Sequence, residues 1–142
     1  MNYWDASAII PLCVLEEHSG VMQEISGHDD MIVTWWGTVV ECRSAFSRLR
    51  RDGVLSMKQE DQLIRLTDML SSSWTEILPG NEVRTIAMRL LLAHPLRAAD
   101  ALQLAAALVW AGKVPRDHAF VCLDNRLRDA ARKEGFHILP EQ

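Results

Sequence analysis

The apolar positions along the chain change period several times. "MNYW" (1–4), "MIVTW" (31–35), "WTEIL" (74–78), "AFVCL" (119–123) and "HIL" (137–139) are short runs rich in aromatic and branched residues, and they predict five strands. Helical patterns fill the spaces between them. "SAIIPLCVLEE" and "SGVMQEIS" predict two helices, the first disturbed by Pro11. From Thr38 to about Arg51, the residues Val39, Cys42, Phe46 and Leu49 recur at helical spacing, and Asp52-Gly53 ends the helix. Ser56 with Gln59 three residues on is a capping-box signal, opening a helix to about Leu70. Pro79-Gly80 turns the chain, Asn81 is placed to cap "EVRTIAMRLLLAH", and Pro95 stops that helix. An alanine-rich helix runs from about Ala98 to Ala111, and "NRLRDAARKE" precedes Gly135, a C-terminal cap.

Strands alternating with helices predict an α/β domain with a largely parallel sheet. The 142 residues suit one domain spanning 1–142. In such sheets functional groups gather beyond the carboxyl ends of strands, where the strand order switches. Asp5 after the first strand and Asp124 after the fourth stand in that place.

Two further acids break their local pattern. Glu41 follows "TVV" in a helix that otherwise turns apolar residues inward, and Asp100 lies among alanines in the first turn of its helix. Each of the four has a plain alternative. Asp100 favours a helix N-terminus through the dipole, Asp5 and Asp124 can cap the helices that follow them, and Glu41 can pair with Arg48. Glu16, Glu17, Asp29, Asp30, Glu60 and Asp61 sit in polar runs and read as solvated surface. Were the four to converge, two carboxylates about 5 Å apart would repel by about 3 kcal/mol at an effective dielectric of 20. Protons or a cation must then neutralise the group. An acidic pocket of oxygens alone suits Mg²⁺ or Mn²⁺, which can activate water and stabilise a phosphodiester under in-line attack.

Charge bears on the partner. The formal net charge of −4 speaks against nucleic acid, but its distribution is uneven. Residues 1–42 carry seven acids and no Lys or Arg, so all 15 basic residues lie beyond them. Arg43, Arg48, Arg50 and Arg51 crowd one segment, and Arg126, Arg128, Arg132 and Lys133 another. Such clusters can meet phosphates, or can be solvated helix faces. Cys13, Cys42 and Cys122 are odd in number and unpaired in spacing, which fits reduced thiols in a cytoplasm, with Cys42 and Cys122 packed inside. The five histidines lack metal spacing. No basic leader and no apolar run of membrane length is present, so neither export nor a membrane is expected.

Other chemistries lack their motifs. "DASAI" departs from a D-x-S-x-S metal loop at Ile9, and there is no phosphatase D-x-D-x-T, no phosphate loop, no G-x-G-x-x-G and no G-x-S-x-G elbow. Neither Cys42 nor Cys122 has a histidine beside it to make a thiolate.

The ordered set "YWDASAIIPL", "TVVECRSAFSRLRRDGVLS", "LRAADALQLAAAL" and "FVCLDNRLRDAARKEGFHIL" resembles the PIN-domain family, and within it the VapC-type toxins of bacterial toxin–antitoxin pairs, from about residue 1 to residue 140. The resemblance implies a three-layer PIN-like α/β domain with a parallel five-stranded sheet flanked by helices. It implies a metal-dependent ribonuclease whose acidic quartet falls on Asp5, Glu41, Asp100 and Asp124, holding Mg²⁺ or Mn²⁺. Water would attack phosphorus and leave a 5′-phosphate and a 3′-hydroxyl. Ser7 would be a hydrogen-bonding helper, and Arg97 would pair with an acid or phosphate or serve the structure. Many relatives carry Thr or Ser two positions before the fourth acid, where this chain has Cys122. The implied partners are an RNA substrate, a small VapB-like antitoxin that covers the acidic groove, and a second copy in a homodimer. Met31, Trp35, Trp36, Met57, Met69 and Trp74 are available for such contacts or for the core. The rival expectations are a non-catalytic PIN-fold binding module and a PIN nuclease acting on DNA or in RNA processing without an antitoxin.

Overall fold

The computed structural model describes residues 1–112 and 114–141. In chain order the elements are β1 (Asn2–Trp4), α1 (Ala6–Cys13), α2 (Ser19–Gly27), β2 (Ile32–Trp35), α3 (Thr38–Arg51), α4 (Met57–Ser71), β3 (Thr75–Ile77), α5 (Asn81–Ala93), α6 (Ala98–Trp110), β4 (Ala119–Val121), α7 (Asn125–Glu134) and β5 (His137–Leu139). A single 3₁₀ turn, Pro115–Asp117, precedes β4. The five strands form one sheet in the order β3-β2-β1-β4-β5, and every pairing is parallel.

Alternation along the short strands explains the layers. Successive side chains point to opposite faces. Tyr3, Val33 and Phe120 join one cluster with Val83 and Leu90 of α5, Leu104 of α6 and Leu127 of α7. Trp4 and Val121, one residue on, join a second cluster with Ile9 of α1, Met22 of α2, and Cys42 and Phe46 of α3. The sheet is thus the middle of three layers, an α/β architecture with α5–α7 on one face and α1–α4 on the other, as the resemblance implies. Parallel sheets are buried on both faces, which is why these strands read as unbroken apolar runs.

The topology places one position apart from the rest. From the central β1 the chain winds outward through β2 to β3, then crosses to β4 and β5 on the opposite side. The switch in direction falls between β1 and β4, and both carboxyl ends there lead into acids.

Several expectations need correction. The first helix stops at Cys13, and Val14 is already extended, so "VLEE" is not helical. Pro11 lies inside that helix and has no N–H to give it. Asn81 does not cap α5 but is its first residue, with Gly80 at the N-cap and no side-chain capping bond. Glu60 is not solvated surface. It is buried, accepting from Ser47 Oγ at 2.7 Å and from Arg50 Nε at 2.8 Å, and so ties α4 to α3. Asp29 likewise has its side chain buried, where it accepts from Trp4 Nε1 at 2.8 Å and meets the terminal amine at 3.0 Å. Arg128, read as part of a basic cluster, is buried too and donates to the carbonyls of Cys122 and Pro140 at 2.7 and 2.8 Å. The three cysteines are free thiols, with Cys42 and Cys122 buried as expected. No helix among the described residues is long and apolar enough to cross a membrane.

Candidate active site

The site begins with Asp5, the residue after β1. Its backbone is extended, and its side chain caps α1 by accepting from the Ser7 N–H at 3.3 Å. The capping role foreseen for Asp5 is therefore real, but it leaves the carboxylate only 4% exposed. Ser7 Oγ donates to Asp5 Oδ1 at 2.8 Å and accepts from the Leu123 N–H at 2.9 Å. One hydroxyl thus couples the end of β1 to the loop after β4. The Cys122 thiol lies in the same cluster, 3.7 Å from Ser7 Oγ and 3.5 Å from the Asp124 carbonyl. It stands where a hydroxyl was expected and makes weaker contacts of the same kind.

Asp124 caps α7. Its Oδ1 accepts from the N–H groups of Arg126 and Leu127 at 3.0 and 3.2 Å. That geometry leaves Oδ2 without a backbone donor and the residue exposed. The loop beneath it is held by Arg128, whose guanidinium grips the Cys122 carbonyl.

Glu41 and Asp100 arrive from helices on opposite faces of the sheet, α3 and α6. Glu41 does not pair with Arg48. Its Oε2 accepts from Gln103 Nε2 at 2.7 Å. Gln103 was not foreseen, although a polar residue three places after Asp100 on an otherwise apolar helix was the signal for it. It is fully buried, with the Tyr3 hydroxyl donating to its Oε1 at 2.7 Å. Its amide also donates to Thr38 Oγ1 at 2.9 Å. Thr38 Oγ1 in turn lies 2.7 Å from Thr34 Oγ1, which donates to the Trp4 carbonyl at 2.6 Å. The relay joins β1, β2, α3 and α6, the frame on which Asp5, Glu41 and Asp100 sit. No buried side-chain nitrogen or oxygen among the described residues lacks a partner.

The four acids feel one another as a ring. Burial raises Asp5 to about 6, and the charge of Asp124 adds to this against the bonds from Ser7 and Cys122. Burial raises Glu41 to about 7, with Asp5 and Asp100 pushing further and only the Gln103 bond opposing. Burial also raises Asp100, and Asp124 adds to it. The Arg97 N–H and the guanidiniums of Arg97 and Arg126 oppose that shift in part. Desolvation and like charge both disfavour the ionised form, so the site as it stands favours bound protons or a cation. An open cleft of about 430 Å³ lies beside it, lined by Arg97, Asp100, Asp124, Asn125 and Arg126. Asn125 joins the site unforeseen, while Arg126 comes from the basic cluster read as able to meet phosphates.

The donor chemistry fits a hard divalent cation, with oxygen ligands and surplus negative charge. Closure is incomplete. No three His, Cys, Asp or Glu side chains among the described residues are near enough together to hold a metal ion. Mg²⁺ commonly keeps several waters and takes only one or two protein carboxylates directly.

No protein-family model matches the chain, and no curated protein matches it.

Proposed function

We propose that this chain is a divalent-cation-dependent RNA endonuclease of the PIN-domain type, the toxin of a toxin–antitoxin pair. One observation carries the proposal: four carboxylates, from α3, α6 and the chain just past β1 and β4, gather at the switch point of a parallel sheet, where burial and the neighbouring acids raise the proton affinity of Asp5, Glu41 and Asp100. Stability alone gives no reason to gather them.

The residues divide the work. Asp5, Asp100 and Asp124 would hold Mg²⁺ or Mn²⁺, with Glu41 binding directly or through water. When bound, the cation supplies charge neutralisation at the phosphodiester and a more acidic water. Ser7 orients Asp5, and Gln103 orients Glu41. Glu41 Oε1, the oxygen Gln103 leaves free, is the one available to the cation or to a proton from an attacking water. Attack on phosphorus with loss of the 3′-oxygen gives a 5′-phosphate and a 3′-hydroxyl, and no side chain becomes covalently attached. Arg97 and Arg126 stand at the cleft to position the backbone. An antitoxin that inhibits would offer a cation to the same carboxylates, most simply a basic side chain.

The test is cleavage of RNA by purified protein with Mg²⁺ or Mn²⁺, followed by sequencing of the ends. Wild type should leave 5′-phosphates, and Asp100→Asn should lose cleavage by at least a hundredfold with an unchanged fold. Undiminished cleavage by Asp100→Asn would refute the assignment. A second reading, a non-catalytic binding module, draws on the incomplete closure of the carboxylates. RNA binding without metal-dependent cleavage in wild type would favour it.

A further inference from the structure

We propose that Trp36 is a stacking platform for an unpaired base of the RNA. The inference rests on the ribonuclease function proposed above and names a residue that would hold its substrate.

Trp36 follows the last residue of β2, next in the sheet to β1, whose end carries Asp5. Neighbouring strands are about 5 Å apart, so the Trp36 backbone lies beside the end of β1 that carries Asp5. It is 53% exposed, in a chain that buries Trp4 completely and Trp35 nearly so. Exposing so large an apolar ring forgoes stabilisation that burial would give.

Its seat is constructed. Trp35 turns inward and meets the Trp36 ring edge-on, with centroids 6.4 Å apart. Trp35 reaches that position because residue 37 is glycine. A Cβ there would lie 2.5 Å from Trp35 Nε1. The Trp36 N–H is held by the Ile77 carbonyl at 3.0 Å. Val40 on α3 and Leu78 just past β3 are 67% and 66% exposed. Leu78 follows Ile77, the partner of Trp35 in the sheet register, so it flanks Trp36. A flat indole with short aliphatic neighbours suits the face of a nucleobase.

Charge explains why a base and not a phosphate is expected on this side. Residues 1–42 contain no Lys or Arg, so β1, β2 and the first turn of α3 offer no cation to a backbone. The next arginine, Arg43, is held by Asp68 at 2.9 Å. Across the site Arg97 and Arg126 flank Asp100. A strand crossing the carboxylates is therefore gripped through phosphates on the β4 side and uncharged contacts on the β2 side. Stacking supplies such affinity for any base, provided the base is unpaired.

The test uses the full chain with EDTA at low salt, which stops cleavage. Binding of a labelled 12-nucleotide RNA is followed by fluorescence anisotropy, as a single strand and as a duplex. Trp36→Ala should weaken single-strand binding about tenfold, leave duplex binding unchanged, and unfold at the wild-type temperature. Trp36→Phe should restore most of the loss. Arg126→Ala should weaken both forms and lower the salt dependence. Unchanged single-strand binding by Trp36→Ala overturns the proposal, as does equal loss for both forms. Unchanged RNA binding with lost self-association in sedimentation also overturns it and makes Trp36 a protein contact. Absence of RNA binding in wild type with EDTA together with absence of RNA cleavage with Mn²⁺ overturns the ribonuclease function itself.

Discussion

Asp5 shows the conflict that defines this protein. It caps a helix well and accepts two bonds from Ser7, yet its burial and Asp124 hold its proton affinity up to about 6. The sign follows from linkage. The folded state binds the proton more tightly than the unfolded chain, whose Asp titrates near 3.8, so stability falls as pH rises through that window and stays low above it. Asp5→Asn keeps the cap, since Asn caps as well as Asp, and removes the charge. In metal-free protein the variant should be more stable than wild type at pH 7.5, by up to about 3 kcal/mol. The advantage should vanish below pH 4. Thermal unfolding at both pH values checks this, and a variant less stable at pH 7.5 would show that Asp5 has its negative charge satisfied within the protein alone.

At the level of elements, the Gln103 relay is the part most exposed to a single change. Gln103→Leu keeps the volume but leaves the buried Tyr3 hydroxyl without its acceptor and Glu41 without its donor. A loss of about 2 kcal/mol in chemical denaturation is expected. Unchanged stability would mean that the relay contributes little to holding α3 and α6 against the sheet.

Elements set by local chemistry were legible in the sequence. Ser56 and Gln59 form both bonds of their capping box, and Gly135 adopts φ 110° at the end of α7, a conformation only glycine enters cheaply. Asn81 misled because glycine one place earlier already fills the N-cap. Glu60 and Asp29 misled for another reason. Their partners, Arg50 and Trp4, belong to other elements, and no local window contains them. The four acids were legible because each interrupts an apolar surrounding. Gln103 and Asn125 were not, since their roles arise only when α3, α6 and α7 meet around β1 and β4.

For the whole molecule, the central fact is that an acidic centre is assembled at the one place where the sheet reverses its winding. The parallel register brings the ends of β1 and β4 together, with Tyr3 paired to Phe120 and Trp4 to Val121, so Asp5 stands level with Cys122 and feels the charge of Asp124 two residues on. Helices on both faces then add Glu41 and Asp100. The charge segregation follows the same plan, with the chain's first 42 residues free of Lys and Arg and the guanidiniums of Arg97 and Arg126 across the cleft.

The most direct measurement is a Mn²⁺ titration of the purified protein at pH 7.5, read by electron paramagnetic resonance of the free ion. Wild type should take up Mn²⁺ saturably, and Asp5→Asn, Glu41→Gln, Asp100→Asn and Asp124→Asn should each weaken uptake at least tenfold. Uptake that does not saturate, or that none of the four substitutions alters, would contradict a shared cation site.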